Sequence, residues 1–483
     1  MPMKTEPIRS PLPRALPEEV GIPSQAVTLF IDALAQSGQE VHSFMLLRHG
    51  RVAAEAWWKP YESALPHQLF SLSKSFTATG VGFAVAEGKL SVDDPVLSFF
   101  PEAAPKRPSA NLQAMRVQHL LTMTSGHAKD TLERVHKPGT RDWVKALLAL
   151  PVEEEPGSRF VYNSGASYLL SAIVQRVTGQ RLLDYLAPRL FSPLGIEGAT
   201  WERCPRGVDT GGWGLSLRTE DIAKFGQLLL AKGRWEGKQL IAESWIAEAT
   251  KAQVGNDRPD EPVDWTQGYG YQFWRCRHGG FRGDGAFGQL CVVMPDQDAV
   301  LAMTSGAQNM QAILDAAWRT LLPAMGESPR VVKKHQADLR RALRGLRLDP
   351  PGFRDDPPAA AHLDGTSWRL EANPGGLRAV SFAFHAGRLA MTIQARRKTV
   401  LRCGAGKWVS GRLRRDRTGP AVPVRAAFTW TGGGALEATV RWITTPFRET
   451  YVCRFSAGAL ELVVKSNVSF GPLETPPIKG TRI

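Results

Sequence analysis

Phe70-Ser71-Leu72-Ser73-Lys74-Ser75-Phe76 opens a run rich in small residues, with Ala78, Gly80, Gly82, Ala84 and Ala86 following before Gly88. The pattern over 70–87 predicts a helix that Gly88 terminates. Small residues let neighbours approach closely, which marks it as a central, buried helix. Ser71 and Lys74 stand at i and i+3 and share one face. A serine hydroxyl is a poor nucleophile until a base takes its proton. A lysine in a crowded, apolar site can have its pKa lowered enough to be that base. The start of the helix also aims free N–H groups at an oxyanion formed at Ser71. About one Ser-x-x-Lys arises by chance in a chain this long, so the weight rests on its position at the head of a small-residue helix.

Outward from this helix, residues 41–58 read as a hairpin, with apolar runs at 44–47 and 52–58 joined through His49-Gly50. Helical patterns follow at 117–123, 143–148, 167–177, 219–230 and 242–249. Strands are predicted at 269–276, 288–294 and 300–305, and a closing helix at 310–322. Strands, many helices, then strands and a helix describe an α/β (α+β) layer with a helical insertion. Residues 326–349 are basic with helical spacing, and 349–359 are rich in Asp and Pro and read as a linker. Beyond it the period changes to two. In 435–442, Leu436, Ala438, Val440 and Trp442 alternate with Glu437, Thr439 and Arg441. Several such short strands with Gly-rich turns predict a small antiparallel barrel or sandwich. The expected division is a mixed α/β domain over 1–330 that carries Ser71 and Lys74, a basic helix and linker over 331–361, and a basic all-β domain over 362–483.

Composition sets the limits. The chain has 483 residues, 43% hydrophobic and 22% charged, which excludes extensive disorder. No apolar run is long enough to span a membrane. The Pro- and charge-rich start, 1–19, does not read as a signal peptide. Five scattered cysteines (Cys204, Cys276, Cys291, Cys403 and Cys453) make no disulfide framework. Only Cys276 and His278 sit close together, and one such pair makes no metal site. The expectation is a cytoplasmic protein with no metal and no cofactor. The net charge of +14 is uneven: residues 331–483 carry 26 Lys and Arg against 11 Asp and Glu, and residues 1–330 carry 34 against 35. The densest basic clusters are Arg396-Arg397-Lys398 and Arg412, Arg414, Arg415 and Arg417. They suit an anionic partner or a solvated face, and the solvated face is the favoured reading. No aromatic RNA-binding signature accompanies them, which argues against nucleic acid.

The 70–76 stretch resembles the active-site helix of the serine β-lactamase and penicillin-binding-protein superfamily, nearest its class C-like esterases, D-aminopeptidases and nylon-oligomer hydrolases. Three further segments match in order. These are Val117-Gln118-His119-Leu120-Leu121-Thr122-Met123-Thr124-Ser125-Gly126, Pro156-Gly157-Ser158-Arg159-Phe160-Val161-Tyr162-Asn163-Ser164-Gly165, and Gly214-Leu215-Ser216-Leu217-Arg218-Thr219-Glu220-Asp221. The resemblance covers roughly 15–325. It implies an antiparallel sheet flanked by helices, an acyl-enzyme on Ser71, and Lys74 and Tyr162 as bases. A lysine ammonium beside Tyr162 is expected to favour its phenolate. The family pattern Tyr-x-Asn is here Tyr162-Asn163-Ser164, so a hydroxyl replaces the third-position amide and Asn163 is the partial substitute.

The family's Lys/His-Thr/Ser-Gly motif corresponds best to Gly283-Asp284-Gly285-Ala286. By resemblance the Ala286 and Ser71 amides form the oxyanion hole. Gly285 lets substrate approach the backbone closely. Asp284 stands where penicillin-opening relatives carry a cation that holds the substrate carboxylate, with Arg282 nearby. The implied substrates are small esters or amides. β-Lactamase or D-aminopeptidase-type activity is the alternative, and a catalytically silent ligand-binding or sensor protein the reading from another class. In some relatives the hydrolase domain carries a lipocalin-like barrel, which the tail resembles in pattern. His119 and His127 read as structural.

Overall fold

The computed structural model describes residues 11–137, 139–326, 329–415, 419–456 and 458–483. The first ten residues of the Pro-rich start, and Arg417 of the basic cluster, lie outside the described residues. The chain separates into two compact units. The first takes in most of the chain up to Gly345. The second comprises Leu346–Ile483 together with Trp57–Glu62 and Gly306–Gln308.

The first unit is built on a six-stranded sheet. Its order is Arg51–Trp57, Glu40–Arg48, Ala299–Gly306, Gln289–Met294, Phe281–Gly285 and Trp274–Arg275. The expected hairpin is present, and its turn residues His49 and Gly50 both have positive φ, 52° and 69°. That left-handed pair matches the twist of the flanking strands. The two central strands, Gln289–Met294 and Ala299–Gly306, are buried at every residue. They therefore read as continuous apolar runs.

The expected helix over 70–87 divides into a 3-10 turn, Phe70–Leu72, and an α-helix, Ser73–Ala86. Twelve of the fourteen helix residues are buried. Its small residues have a specific purpose: a Cβ on Gly80 would sit 2.6 Å from Leu182 Cδ1, and one on Gly82 2.4 Å from the Trp245 indole. The helix Ser164–Thr178 packs along it. The strand expected over 269–276 is reduced to Trp274–Arg275. The Gly-rich motif segment before Ala286 forms the strand Phe281–Gly285. The basic helix, Lys333–Gly345, groups with the first unit and packs on Ser24–Gln36, with Leu339 buried.

The second unit is a closed barrel. Nine strands run in a meander from Ser367–Leu370 through Lys398–Ala405, and from Val422–Trp430 to Ile478–Arg482. Trp368 pairs with Arg482 at one seam, and the parallel pairs Gly404 with Ala427 and Ala405 with Phe428 close the other. Val409–Leu413 adds to Val422–Trp430 as a further strand. Up-and-down closure removes free edges, as in lipocalin-type barrels. The strand over Leu436–Trp442 forms as its two-residue period predicts, yet Thr439 and Arg441 on the polar face are also buried. The Arg441 guanidinium lies 5.8 Å from the Trp408 ring centroid. A short helix, Pro357–Leu363, begins inside the expected linker.

Candidate active site

Ser71 sits in the 3-10 turn, one residue after Phe70, whose φ of 49° is left-handed. A bulky residue adopts that conformation only when its surroundings impose it, at a cost of about 1–3 kcal/mol. Here the Phe70 ring meets Phe287 edge-on at 5.5 Å. The Ser73 hydroxyl donates to the Phe70 carbonyl at 2.6 Å and accepts from the Leu215 amide at 3.1 Å. The turn is thereby fixed on both sides of the Ser71 hydroxyl.

Lys74 lies one turn further on and is 1% exposed. Its Nζ is 3.1 Å from Ser71 Oγ, 3.3 Å from Ser164 Oγ and 2.7 Å from the Gly212 carbonyl oxygen. Burial lowers its pKa to about 8, against opposing pulls from Asp130 and Asp284. Neither carboxylate makes an ion pair with it within 4 Å among the described residues, so desolvation wins. A neutral amine has two N–H donors and one lone pair. Gly212 O and Ser164 Oγ can take the donors, which leaves the lone pair for the Ser71 hydroxyl.

Tyr162 lies under Lys74, with Nζ 4.8 Å from its ring centroid. The ring stacks on Trp274 at 5.4 Å and 23°. Burial raises its pKa strongly, and Asp284 and Asp130 push the same way, against a hydrogen bond with Ser71. This corrects the expectation of a phenolate. The ammonium faces the π-cloud, the environment is apolar, and the resting phenol keeps its proton.

The third-position hydroxyl of the Tyr162-Asn163-Ser164 segment is the group that reaches Lys74. Asn163 is fully buried and committed elsewhere. Its oxygen accepts from the Thr131 amide and hydroxyl and from the Gly165 amide, and its Nδ2 donates to Ser125 Oγ. It caps the Ser164–Thr178 helix and ties down the preceding loop. The sequence reading of Asn163 as a substrate-binding substitute is therefore corrected to a structural clamp. Asp130, not singled out from sequence, accepts from the Ser164 and Leu132 amides at 3.1 and 2.9 Å.

The Phe281–Gly285 strand meets the nucleophile turn through its glycines. A Cβ on Gly285 would sit 1.9 Å from the Leu69 carbonyl oxygen, and one on Gly283 2.5 Å from Leu72 Cδ1 and Ser75 Oγ. No side chain fits there, so the end of this strand packs directly on the turn that carries Ser71. Among the described residues, neither the Ser71 nor the Ala286 amide donates to a backbone carbonyl. Alternation turns Arg282 and Asp284 to the opposite face. Arg282 is fully buried, lies 4.3 Å from the Trp265 ring centroid and donates to Asp284 Oδ2 at 2.8 Å. Asp284 is 7% exposed. Burial raises its pKa, with Arg282 pulling the other way. Its charge is met by Arg282 instead of facing a substrate alone.

His119 and His127 hold backbone and loop. His119 Nδ1 accepts from the Arg116 amide at 3.1 Å, and His127 Nδ1 lies 3.0 Å from Ser125 Oγ. All five cysteines are buried thiols. Among the described residues no helix is long and apolar enough to cross a membrane.

A half-buried serine beside a buried lysine at the head of a helix, facing a Gly-rich strand, is the arrangement of a serine hydrolase of the penicillin-recognising type. The chain belongs to the β-lactamase family, whose model matches residues 28–324. It is 26% identical over 313 residues to the 6-aminohexanoate-dimer hydrolase of Paenarthrobacter ureafaciens, covering 60% of this chain and 79% of that one. Esterase EstB of Burkholderia gladioli is 30% identical over 154 residues, 29% of this chain and 39% of the esterase. A penicillin-binding-protein homologue from Caulobacter crescentus superimposes with a TM-score of 0.51 at 19% identity, over 62% of this chain and 97% of its own. The fold and the serine-hydrolase class are those expected from sequence.

Proposed function

We propose that the protein hydrolyses small esters or amides through an acyl-enzyme on Ser71. The observation that carries this reading is the 3.1 Å approach of a buried, readily neutralised Lys74 to the Ser71 hydroxyl. Neutral Lys74 takes the Ser71 proton as Oγ bonds to the carbonyl carbon. The oxyanion is received by the Ser71 and Ala286 amides. Tyr162, a neutral phenol, donates its proton to the leaving oxygen or nitrogen, and the Lys74 ammonium restores it. Water then attacks the acyl carbon as Lys74 takes its proton, the acyl–Oγ bond breaks, and the Lys74 ammonium returns the proton to Ser71 Oγ. Ser164 and Gly212 orient the amine, and Asp130 orients Ser164. The names of the relatives, a 6-aminohexanoate-dimer hydrolase and an esterase, support this substrate range. The Arg282–Asp284 pair disfavours penicillins, since neither member is left to hold a substrate carboxylate.

The test is a panel of p-nitrophenyl esters, a D-aminoacyl anilide and nitrocefin, with fluorophosphonate labelling followed by peptide mass spectrometry. The expected label is on Ser71, and Ser71→Ala should lose about 10³–10⁴-fold in rate. Near-normal rates in that variant, or a label elsewhere, would overturn the assignment. Labelling without turnover of any substrate would mark a silent member of the fold.

A further inference from the structure

The second unit holds a cavity of about 1470 Å3 that hydrolase chemistry does not use. Its lining comes from chain reversals at one end of the barrel. In register, Arg369 pairs with Ala379, Ala379 with Gln394, and Gln394 with Lys398. The parallel pairing of Gly404 with Ala427 brings the start of Val422–Trp430 level with Lys398. Residues 371–378, 395–398 and 413–415 therefore gather around one opening, and all of them line the cavity except Pro374. Strand alternation leaves Arg369, Lys398 and Arg402 exposed while Trp368, Leu370, Leu401 and Cys403 are buried, so the concavity lies on the outer face of the barrel at this end.

Among the described residues, eight arginines and one lysine line this cavity, against a single acidic side chain, Glu371. Arg369, Arg378, Arg396, Arg397, Lys398 and Arg402 have no carboxylate partner among the described residues. Arg412 and Arg414 donate to the carbonyls of Ala421 and Gly419, which holds those guanidinium groups in place. A solvated basic face would spread such charges over a convex surface. Here they converge on a concavity, alongside the apolar side chains of Leu377, Val400 and Leu413. Convergent guanidinium groups match phosphate oxygens in geometry as well as charge. A duplex would call for an extended stripe, whereas these cations gather around one concavity.

We propose that this barrel-end cavity binds a small molecule carrying several phosphate groups. The test is isothermal titration of the full chain with sodium tripolyphosphate. The comparison arms are inorganic phosphate, a single-stranded 20-mer oligonucleotide and phosphatidylglycerol vesicles. The expected result is saturable one-site binding of tripolyphosphate, at least roughly tenfold tighter than phosphate and weakening steeply between about 50 and 200 mM salt. Arg396→Glu with Arg397→Glu, exposed on a turn, should weaken binding at least about tenfold, as should Arg378→Glu alone to a lesser degree. Lys334→Glu with Arg340→Glu, the same charge change on the basic helix of the first unit, should leave it unchanged. Circular dichroism melting confirms that each variant is folded. Three results overturn the proposal: no saturable binding of tripolyphosphate, an equal loss in the control pair, or tighter binding of oligonucleotide or vesicles.

Discussion

Replacing Lys74 with methionine should separate stability from activity in a pH-dependent way. Burial holds the Lys74 pKa at about 8, against an ordinary lysine value of 10.5. The charged form is the one disfavoured, and between those two values the unfolded chain binds more protons than the folded one. Wild-type stability therefore rises with pH across that window. The shift is about two and a half units, so burying the ammonium costs about 3 kcal/mol at pH 7 and about 1 kcal/mol at pH 10. Lys74→Met removes this cost and fills a similar volume. It also strips the Gly212 carbonyl of its donor, a loss of about 1–3 kcal/mol that does not depend on pH. The telling quantity is therefore the difference between variant and wild type at the two pH values. Urea unfolding followed by tryptophan fluorescence should show the variant's relative stability about 2 kcal/mol higher at pH 7 than at pH 10. Ester turnover should be lost at both. A difference that does not change with pH would refute a strained, easily neutralised lysine.

Other outcomes follow from the same geometry. In the wild type, kcat/KM for a neutral ester should rise about tenfold per unit below pH 8 and level off above about pH 9; an inflection near 6 would move the base to a histidine. Tyr162→Phe keeps the stack on Trp274 but removes the proton donor, so kcat should fall about 10²–10³-fold with little change in melting temperature. Unchanged turnover would leave Tyr162 a packing residue. Gly285→Ala places a methyl against the Leu69 carbonyl and must displace the Ser71 turn, so kcat/KM should drop at least about 100-fold. Retained activity would separate this contact from the chemistry.

The buried helix, the hairpin and the barrel were legible because each rests on a local pattern: small residues at alternate positions from Ala78 to Ala86, a His-Gly turn, a two-residue alternation. The Ser71–Lys74 pair was legible because both residues lie in one turn of chain. The Phe281–Gly285 strand was less so, since glycines erase the alternation that marks a strand, and the reason for them is the backbone of residue 69, far away in sequence. Asp130 carries no local signal because its partner is the amide of Ser164. The choice between Asn163 and Ser164 could not be read from spacing: both follow Tyr162, and only the helix start beginning at Ser164 decides which side chain turns inward. The protonation of the Tyr162 phenol is governed by burial as well as by the nearby cation, and burial leaves no local mark in the sequence.

The Arg282–Asp284 contact bears on how this protein can change over generations. Either residue replaced alone leaves the other without its ion-pair partner in a dry, aromatic setting, where Arg282 already holds one nitrogen, Nη2, without a hydrogen-bond partner. Both replaced together by uncharged residues leave none. Selection therefore meets the two positions as one inherited character. A lineage crosses from this pocket to a neutral or basic one by a paired substitution, since each single step passes through an ancestor that folds poorly.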